Sequence, residues 1–229
     1  MFVPGIYRAP DPRWTRAIVS GYPLALLASG GPGAPYATHV PVILPGGPQA
    51  DPSADLVGTK LLGHMNRANP HWKALAGGSE ALMVFSGPHG YVSPSVYGFE
   101  PAAPTWDFAA VHLRGGLSPM TAQEASLDLV VATVRAFEAR FGDAWDPTAS
   151  MDYFRRILPA VGAFSFQVDS VEAMFKLSQE QDAPTRERVA DAFAVGDGPL
   201  RHELADLINA LKGCPVGEPT ASRNAQGTR

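Results

Sequence analysis

The chain has 229 residues, of which 45% are apolar and 17% are charged, and this length is enough to bury a substantial core. Its formal net charge of -4 provides no basic surface for a nucleic acid, and its single cysteine excludes a disulfide framework and a multi-thiolate metal site. The sequence starts without the basic and apolar regions of a signal peptide and has no apolar run of the roughly 20 residues that span a bilayer, so we expect a soluble cytoplasmic protein.

Glycine and proline, at 23 and 22 residues, separate short apolar runs and predict many short elements. Runs rich in branched and aromatic residues predict strands, and apolar residues at helical spacing predict helices. In chain order, the predicted elements are a helix over residues 13–20, strands over 24–29, 36–44 and 56–65, a short helix that starts at Asn69-Pro70 and runs to residue 76, strands over 80–86 and 106–117, helices over 121–141 and 151–158, strands over 161–168 and 173–177, and helices over 185–195 and 199–212.

Local signals set several boundaries. Asp11-Pro12 is typical of a helix start, and residues 121–124 form a capping-box pattern. Asp169-Ser170 indicates a bend between the last two predicted strands. Residues 87–104 carry seven glycines and prolines, which predicts a long ordered loop with a short strand near Tyr91. Loops of this kind are often functional.

Strands outnumber helices in this pattern, and most are joined by hairpins, which predicts an α+β fold around an antiparallel sheet or small barrel. The last segment, residues 214–229, has neither aromatic residues nor periodicity and predicts a disordered tail. No glycine-rich phosphate loop or nucleophile-elbow motif occurs, so nucleotide hydrolysis and serine-esterase chemistry lose their usual support.

Most of the histidines lie in the first half of the chain. Imidazole is the natural ligand for haem iron or another transition metal in a chain without clustered cysteines. The spacing does not support zinc, because His64 and His71 are seven positions apart with no acidic residue near either. The alternative is that these histidines are hydrogen-bonded barrel residues. The five candidates are His39, His64, His71, His89 and His112.

Residues 63–73 place a predicted strand end directly before a helix start. Arg67, Lys73 and the free backbone N–H groups of that helix could hold a phosphate or a propionate, because the helix dipole and a guanidinium both favour an anion. The alternative is a capped helix with a solvated arginine.

Trp106 and Asp107 stand at the entrance of a predicted strand. Trp106 could stack on a flat cofactor, or it could fill a core or an interface as large aromatic residues often do. Tyr91 and Tyr97 supply hydroxyl groups in the long loop, where ordinary turn chemistry is the alternative.

Several ordered motifs are spread over residues 1–195. They are Met1-Phe2-Val3-Pro4, Ala37-Thr38-His39-Val40-Pro41, Gly63-His64-Met65 with residues 67–72, Tyr91-Val92-Ser93-Pro94-Ser95, Pro104-Thr105-Trp106 with Val111-His112, and Phe175-Lys176-Leu177-Ser178-Gln179. Together they resemble the PaiB-type family of FMN-binding negative transcriptional regulators. This resemblance implies a split β-barrel related to pyridoxine-phosphate oxidase and a homodimer with cofactor sites at the subunit interface. We accordingly expect a cofactor-binding barrel domain over 1–180, C-terminal helices over 181–213 and the tail over 214–229.

Two positions depart from the usual regulator pattern. Val96 stands where the family has tryptophan, which opens space beside a cofactor, and Asp107 stands where it has asparagine, which adds a possible base. In size and motif content the chain is most similar to the haem-dependent piperazate synthase branch. That similarity implies haem b and the dehydrative cyclisation of N5-hydroxy-L-ornithine to L-piperazic acid, an N–N bond-forming step of nonribosomal peptide biosynthesis.

Under this resemblance, His64 is the axial ligand of the haem iron, with His112 and His39 as alternatives. Arg67 and Lys73 hold the haem propionates. The expected cofactor-binding residues are His64, Asn66, Arg67, His71, Lys73, Trp106 and Arg114.

The remaining expected roles concern the substrate. Asp107, Tyr91 or Tyr97 accepts or relays the amine proton, and Lys176 or Arg114 holds the carboxylate of the amino-acid substrate. The alternatives are an FMN-binding oxidoreductase of the same fold and a transcriptional regulator. The regulator alternative lacks a recognisable helix-turn-helix with basic residues, so we expect a small-molecule partner and a homodimer, with neither nucleic acid nor membrane as a partner.

Overall fold

The structure, a computed structural model, describes residues 1–31, 33–44, 51, 53–75 and 77–213. The predicted tail over 214–229, which includes Cys214, and the Pro-rich residues 45–50 lie outside this part. The strands are β1 (Leu24–Ser29), β2 (Tyr36–Ile43), β3 (Lys60–Asn66), β4 (Ser79–Val92), β5 (Thr105–Pro119) and β6 (Val161–Lys176). The α-helices are α1 (Pro12–Gly21), α2 (Pro70–Leu75), α3 (Gln123–Phe141), α4 (Met151–Ile157), α5 (Ala183–Ala194) and α6 (Pro199–Ala210).

The six strands close into a barrel in the order β1, β2, β3, β6, β5, β4. β1 pairs antiparallel with β2 and with β4, β2 pairs with β3, and β3 pairs with β6. The β3–β6 register places His64 opposite Ala163. The expected α+β fold around a small antiparallel barrel is therefore confirmed.

The chain divides into two compact units, which are described separately. The first unit contains Met1, Asp11–Gly87 and Ala110–Ala173. The second unit contains Phe2–Pro10, Pro88–Ala109 and the described residues from Met174 onward. Strands β4, β5 and β6 each contribute residues to both units.

The core of the first unit is formed by alternate residues of the strands, because successive side chains point to opposite sides of a strand. Leu61, Phe164 and Phe166 are among the side chains with no exposed surface. Helix α2 packs on β6 at Gly162, where a Cβ atom would lie only 2.6 Å from the ring of Trp72. Glycine is therefore required at this close approach.

The second unit contains the packed pair α5 and α6. Phe193 and Leu204 from these helices contact Gly90 of β4, where a Cβ atom would lie 2.5 Å from the Phe193 ring and 3.2 Å from Leu204. Gly90 thus allows close packing and does not end the strand. The predicted strand near Tyr91 is part of β4, but the predicted break after residue 86 is wrong, because β4 continues from Ser79 to Val92 without interruption.

The helix starts follow the local sequence in one case and depart from it in another. Asp11 caps α1 as predicted, and its Oδ1 accepts a hydrogen bond from the Arg13 N–H at 2.7 Å. The predicted capping box over 121–124 is wrong, because α3 begins at Gln123 and Ala122 makes no side-chain cap. The Met120 N–H still donates to Ala163 O at 2.8 Å, which holds the chain on the sheet until just before the helix. None of the helices in the described ranges is long and apolar enough for a membrane span.

Two strand predictions need correction. β3 begins at Lys60 and not at residue 56, because Gly58 adopts a positive φ of 79° and forms a turn whose N–H donates to Val168 O at 2.8 Å. The predicted break at Asp169-Ser170 does not occur, and β6 runs through it as one strand. Both side chains are exposed there, so turn-forming residues are accommodated without a turn.

Candidate functional site

An exposed aromatic cluster lies on the second unit, where β4 and β5 present side chains to the same face. Alternation along the strands places His89 and Tyr91 of β4 on this face with Trp106 of β5. The Trp106 ring centroid lies 6.1 Å from that of His89 and 6.0 Å from that of Tyr91. Trp106 is 54% exposed and Tyr91 is 49% exposed. We call these three side chains the aromatic face, and clustered exposed aromatic surface of this kind is typical of a binding site.

Asp107 follows Trp106 in β5 and points to the opposite side of the strand. Its side chain is fully buried, with no exposed surface. The Ser178 hydroxyl donates to Asp107 Oδ2 at 2.6 Å, whereas Oδ1 has no hydrogen-bond partner among the described residues. Burial raises the pKa of the Asp107 carboxyl to about 6, although the Ser178 hydrogen bond and the Lys176 charge act to lower it.

Lys176, at the end of β6, lies among oxygen atoms of the same unit. Its Nζ donates to Thr105 Oγ1 at 2.5 Å and to Trp106 O at 3.1 Å. The same Nζ lies 3.5 Å from Asp107 Oδ1 and 3.7 Å from Glu180 Oε1. Its ammonium group is thus already surrounded by acceptors, so in this arrangement it is not open to the carboxylate of a substrate.

Tyr7 and Tyr97 lie in the same unit as Asp107 and Lys176. The Tyr7 hydroxyl donates to Glu180 Oε2 at 3.1 Å, and burial together with that carboxylate raises the pKa of Tyr7 to about 12. Tyr97 is almost fully buried, its ring stacks on Phe99 at 5.7 Å, and burial raises the pKa of its hydroxyl. The structure therefore places Tyr97 in the interior and Tyr91 on the aromatic face. Between Tyr91 and Tyr97, only Tyr91 is accessible to a ligand.

His64 lies in the first unit, on β3. Burial lowers the pKa of its imidazole, which keeps the ring neutral and able to bind a metal. Its Nδ1 atom is buried and has no hydrogen-bond partner among the described residues. A metal-bound histidine usually donates its second ring N–H to a carboxylate or carbonyl, so the environment of His64 meets only part of that pattern.

The predicted anion site between β3 and α2 is only partly available. Arg67 Nε donates to Val161 O at 2.7 Å, and the guanidinium lies 5.9 Å from the Trp72 ring. Asn66 Oδ1 accepts the Ala68 N–H at 2.8 Å and so stabilises its own turn. Lys73 is exposed. Arg67 and Lys73 are the cations of this segment that remain accessible to solvent.

His71 is a structural residue in this arrangement. It is 1% exposed, and its Nε2 and Nδ1 atoms lie 3.0 Å from Ser29 Oγ and 2.9 Å from Thr38 Oγ1. Its ring also stacks on Tyr36 at a centroid distance of 5.3 Å. Both ring nitrogens are therefore occupied, and neither is left for a cofactor.

The remaining candidates of the first unit are spread over other strands. Arg114 Nε lies 3.7 Å from Glu172 Oε2, and Arg114 also lines a cavity of about 530 Å³ together with Ser29, Glu80 and Asp169. The pKa of His112 is lowered by burial. His39 lies on the exposed side of β2. No group of three or more histidine, cysteine or acidic side chains within the described residues could hold a metal ion.

The structure brings together the predicted residues Tyr91 and Trp106 on one face of the second unit, and Asp107 and Lys176 behind that face. Ser178 and Glu180 were not among the predicted site residues, although Ser178 falls within a motif that carried the family resemblance. Ser178 follows the end of β6 and lies beside Asp107 only in the folded chain, so that motif was the available signal.

Comparison with known proteins gives a sequence match over most of the barrel. A sequence model described as "Putative FMN-binding domain" matches residues 1–170. The "Protease synthase and sporulation protein PAI 2" of Bacillus subtilis is 28% identical over 177 residues, which cover 77% of this chain and 81% of that protein. The resemblance to the PaiB-type family is confirmed by these matches.

Two solved structures share the fold. The "FAD and Heme binding protein" of Mycobacterium smegmatis superposes with a TM-score of 0.55 at 18% identity and covers 82% of this chain and 80% of that chain. The "Flavocytochrome Anf3" of Azotobacter vinelandii superposes with a TM-score of 0.54 at 15% identity and covers 77% and 73% of the two chains. The expected split β-barrel with flanking helices is confirmed.

Proposed function

The chain belongs to the FMN-binding domain family, and on that premise we propose that it is a flavin-binding oxidoreductase whose aromatic face holds the ring system of FMN. The observation that carries this proposal is the exposed cluster of His89, Tyr91 and Trp106 on β4 and β5. Flat aromatic ligands stack on such side chains and bury the surface that is otherwise exposed to water. When bound, FMN would supply hydride or single-electron transfer.

The chain's own residues would bind and orient the ring. Trp106 and Tyr91 would exclude water from one side of it, and the Tyr91 hydroxyl would offer a hydrogen bond at its edge. The FMN phosphate needs cationic or N–H donors in addition to the three rings of the aromatic face. The expectation that Arg67 and Lys73 hold an anion concerns the first unit by itself and stays a prediction.

Replacing Trp106 with alanine is expected to weaken FMN binding by about 10- to 100-fold, because the variant loses the main stacking surface. The measurement is a fluorescence titration of FMN with purified protein. Trp145→Ala is the matched control, since Trp145 is 49% exposed but packs against Phe154 elsewhere. Equal affinity of both variants would remove the aromatic face as the binding surface, and a wild-type protein that binds no flavin would remove the flavin proposal.

A second candidate function is the haem-dependent cyclisation implied by the piperazate synthase resemblance. The specific observation in its favour is the neutral, half-buried imidazole of His64 with an unpartnered Nδ1 atom. In that reaction an N–N bond forms, an N–O bond breaks and water leaves, with no net electron transfer. Haem iron would supply Lewis-acid activation of the N–O bond. The missing orienting partner on Nδ1 is the reason why we place this function second.

If this second function holds, His64→Ala is expected to leave the protein without haem, so that the Soret band is lost once unbound haem has been removed, because the residue that would hold the iron is gone. The readout is an absorbance spectrum after haem loading. His39→Ala and His112→Ala are matched controls and should retain the band. An unchanged Soret band in His64→Ala, or an unloaded wild-type protein, would remove His64 as the ligand.

A further inference from the structure

Two carboxylates share one ammonium group inside the second unit. Lys176 Nζ lies 3.5 Å from Asp107 Oδ1 and 3.7 Å from Glu180 Oε1. Asp107 has no exposed surface, while the Glu180 side chain is 32% exposed. One negative charge is therefore left over, and the fully buried carboxylate is the one that is poorly solvated.

The hydrogen bonds of Asp107 identify the oxygen that is left without a donor. Oδ2 accepts from the Ser178 hydroxyl at 2.6 Å, and Oδ1 accepts from none of the described residues. Lys176 directs its short hydrogen bonds to Thr105 Oγ1 and Trp106 O instead. A buried carboxylate oxygen without a hydrogen-bond donor is costly, and this cost is relieved when the carboxylate takes up a proton.

Glu180 is held beside Lys176 by Tyr7. The Tyr7 hydroxyl donates to Glu180 Oε2 at 3.1 Å, and the raised pKa of about 12 keeps that phenol protonated as a donor. Burial, together with the negative charges of Glu180 and Asp107, also raises the pKa of Tyr97, so its hydroxyl stays neutral as well. Near neutral pH, the charges that act on Asp107 are therefore those of Lys176 and Glu180.

Ser178 is held in position by an unusual backbone conformation. Its φ is 57°, in the left-handed region that non-glycine residues rarely adopt, and its side chain is fully buried. Gln179 fixes this turn, because its Oε1 accepts the Leu177 N–H at 2.6 Å and its Nε2 donates to Phe175 O at 2.5 Å. Strained residues of this kind persist where the surrounding contacts require one geometry.

We propose that Asp107 is a proton-binding site behind the aromatic face, and that Ser178 and Glu180 are positioning residues that set the pH at which it takes up its proton. The inference rests on the proposed function only in that Asp107 lies next to Trp106 of the proposed flavin-binding surface. Ser178 stabilises the carboxylate form through its hydrogen bond. Glu180 opposes it, because its negative charge repels that of Asp107 and competes for Lys176. The pKa of Asp107, raised to about 6, supports this assignment.

The two positioning residues are expected to act in opposite directions. Ser178→Ala removes the donor to the carboxylate, so Asp107 should hold its proton to higher pH. Glu180→Gln removes the competing negative charge, so Asp107 should lose its proton at lower pH. Each midpoint should move by roughly half a pH unit or more.

The test is a carbon-13 NMR titration of the aspartate carboxyl groups between about pH 4 and pH 8, with the Asp107 signal assigned by its loss in Asp107→Asn. Ser93→Ala and Glu187→Gln are matched controls, since Ser93 bonds Ser95 and Glu187 pairs with Lys212. They should leave the midpoint unchanged. If Ser178→Ala does not fold, Ser178→Gly replaces it, because glycine accepts the positive φ and also lacks the hydroxyl.

Opposite shifts in the two variants, with unchanged controls, support the proposal. Shifts in the same direction, or none, overturn the roles of Ser178 and Glu180, and an Asp107 signal that does not titrate in this range overturns the proton site. The titration uses the protein without FMN. Its failure is therefore distinguishable from a failure of the flavin proposal, which is tested by FMN affinity alone.

Discussion

Gly115→Ala is expected to lower the free energy of unfolding by about 3 kcal/mol, the high end of the range for overpacking a well-packed position. A Cβ atom at residue 115 would lie 1.8 Å from Gln167 O, a backbone atom of the neighbouring strand β6. A side chain can rotate away from such a clash, but a carbonyl within a barrel sheet can move only with its strand. Urea denaturation of the purified variant measures the effect.

Gly116→Ala is the matched control for this prediction. The next position along β5 has nothing within 4 Å of its Cβ site, so this variant should remain within about 0.5 kcal/mol of the wild type. Equal stability of the two variants would contradict the close approach of β5 and β6 at residue 115.

His71→Ala is the second large change, with an expected loss of about 3 kcal/mol of unfolding free energy. The variant leaves a cavity beside Tyr36 and removes the hydrogen-bond partners of the Ser29 and Thr38 hydroxyl groups. Both terms destabilise the folded protein, because the site is 1% exposed and water cannot readily replace the imidazole. Thermal and urea denaturation measure the loss.

Lys73→Ala serves as the control for His71→Ala, since Lys73 is exposed on the same helix and should change stability by less than about 0.5 kcal/mol. If His71→Ala kept its stability and lost cofactor instead, His71 would be a cofactor ligand as the sequence suggested. The two readouts therefore distinguish a structural histidine from a binding one.

Local sequence signals predicted most elements because those signals act over a few residues. Asp11 caps its helix, and β1 has the predicted bounds of residues 24–29. The errors arose where distant packing decides the outcome. In the sequence, Gly90 indicates a strand break, yet it lies within β4 and Phe193, more than 100 positions later, packs on it.

The candidate site was predictable only in part, for a related reason. Trp106 was predictable as a large aromatic residue at a strand entrance and Tyr91 as a hydroxyl group of the Gly/Pro-rich segment, and the structure places both on one face. The contact between Asp107 and Ser178 was not recognisable, because the two residues are 71 positions apart and only the fold brings them together. The homodimer, the absence of a nucleic-acid partner and the regulator alternative stay predictions.

The boundary of the family match has a practical consequence for fragments of this protein. Asp107 lies within residues 1–170, whereas Lys176, Ser178 and Glu180 lie beyond them. A recombinant fragment limited to the matched residues would contain Asp107 but would lack Lys176, the cation that pairs with it. It would also lose the helices that cover Gly90. Fragments designed from that boundary should therefore extend beyond α6, which ends at Ala210.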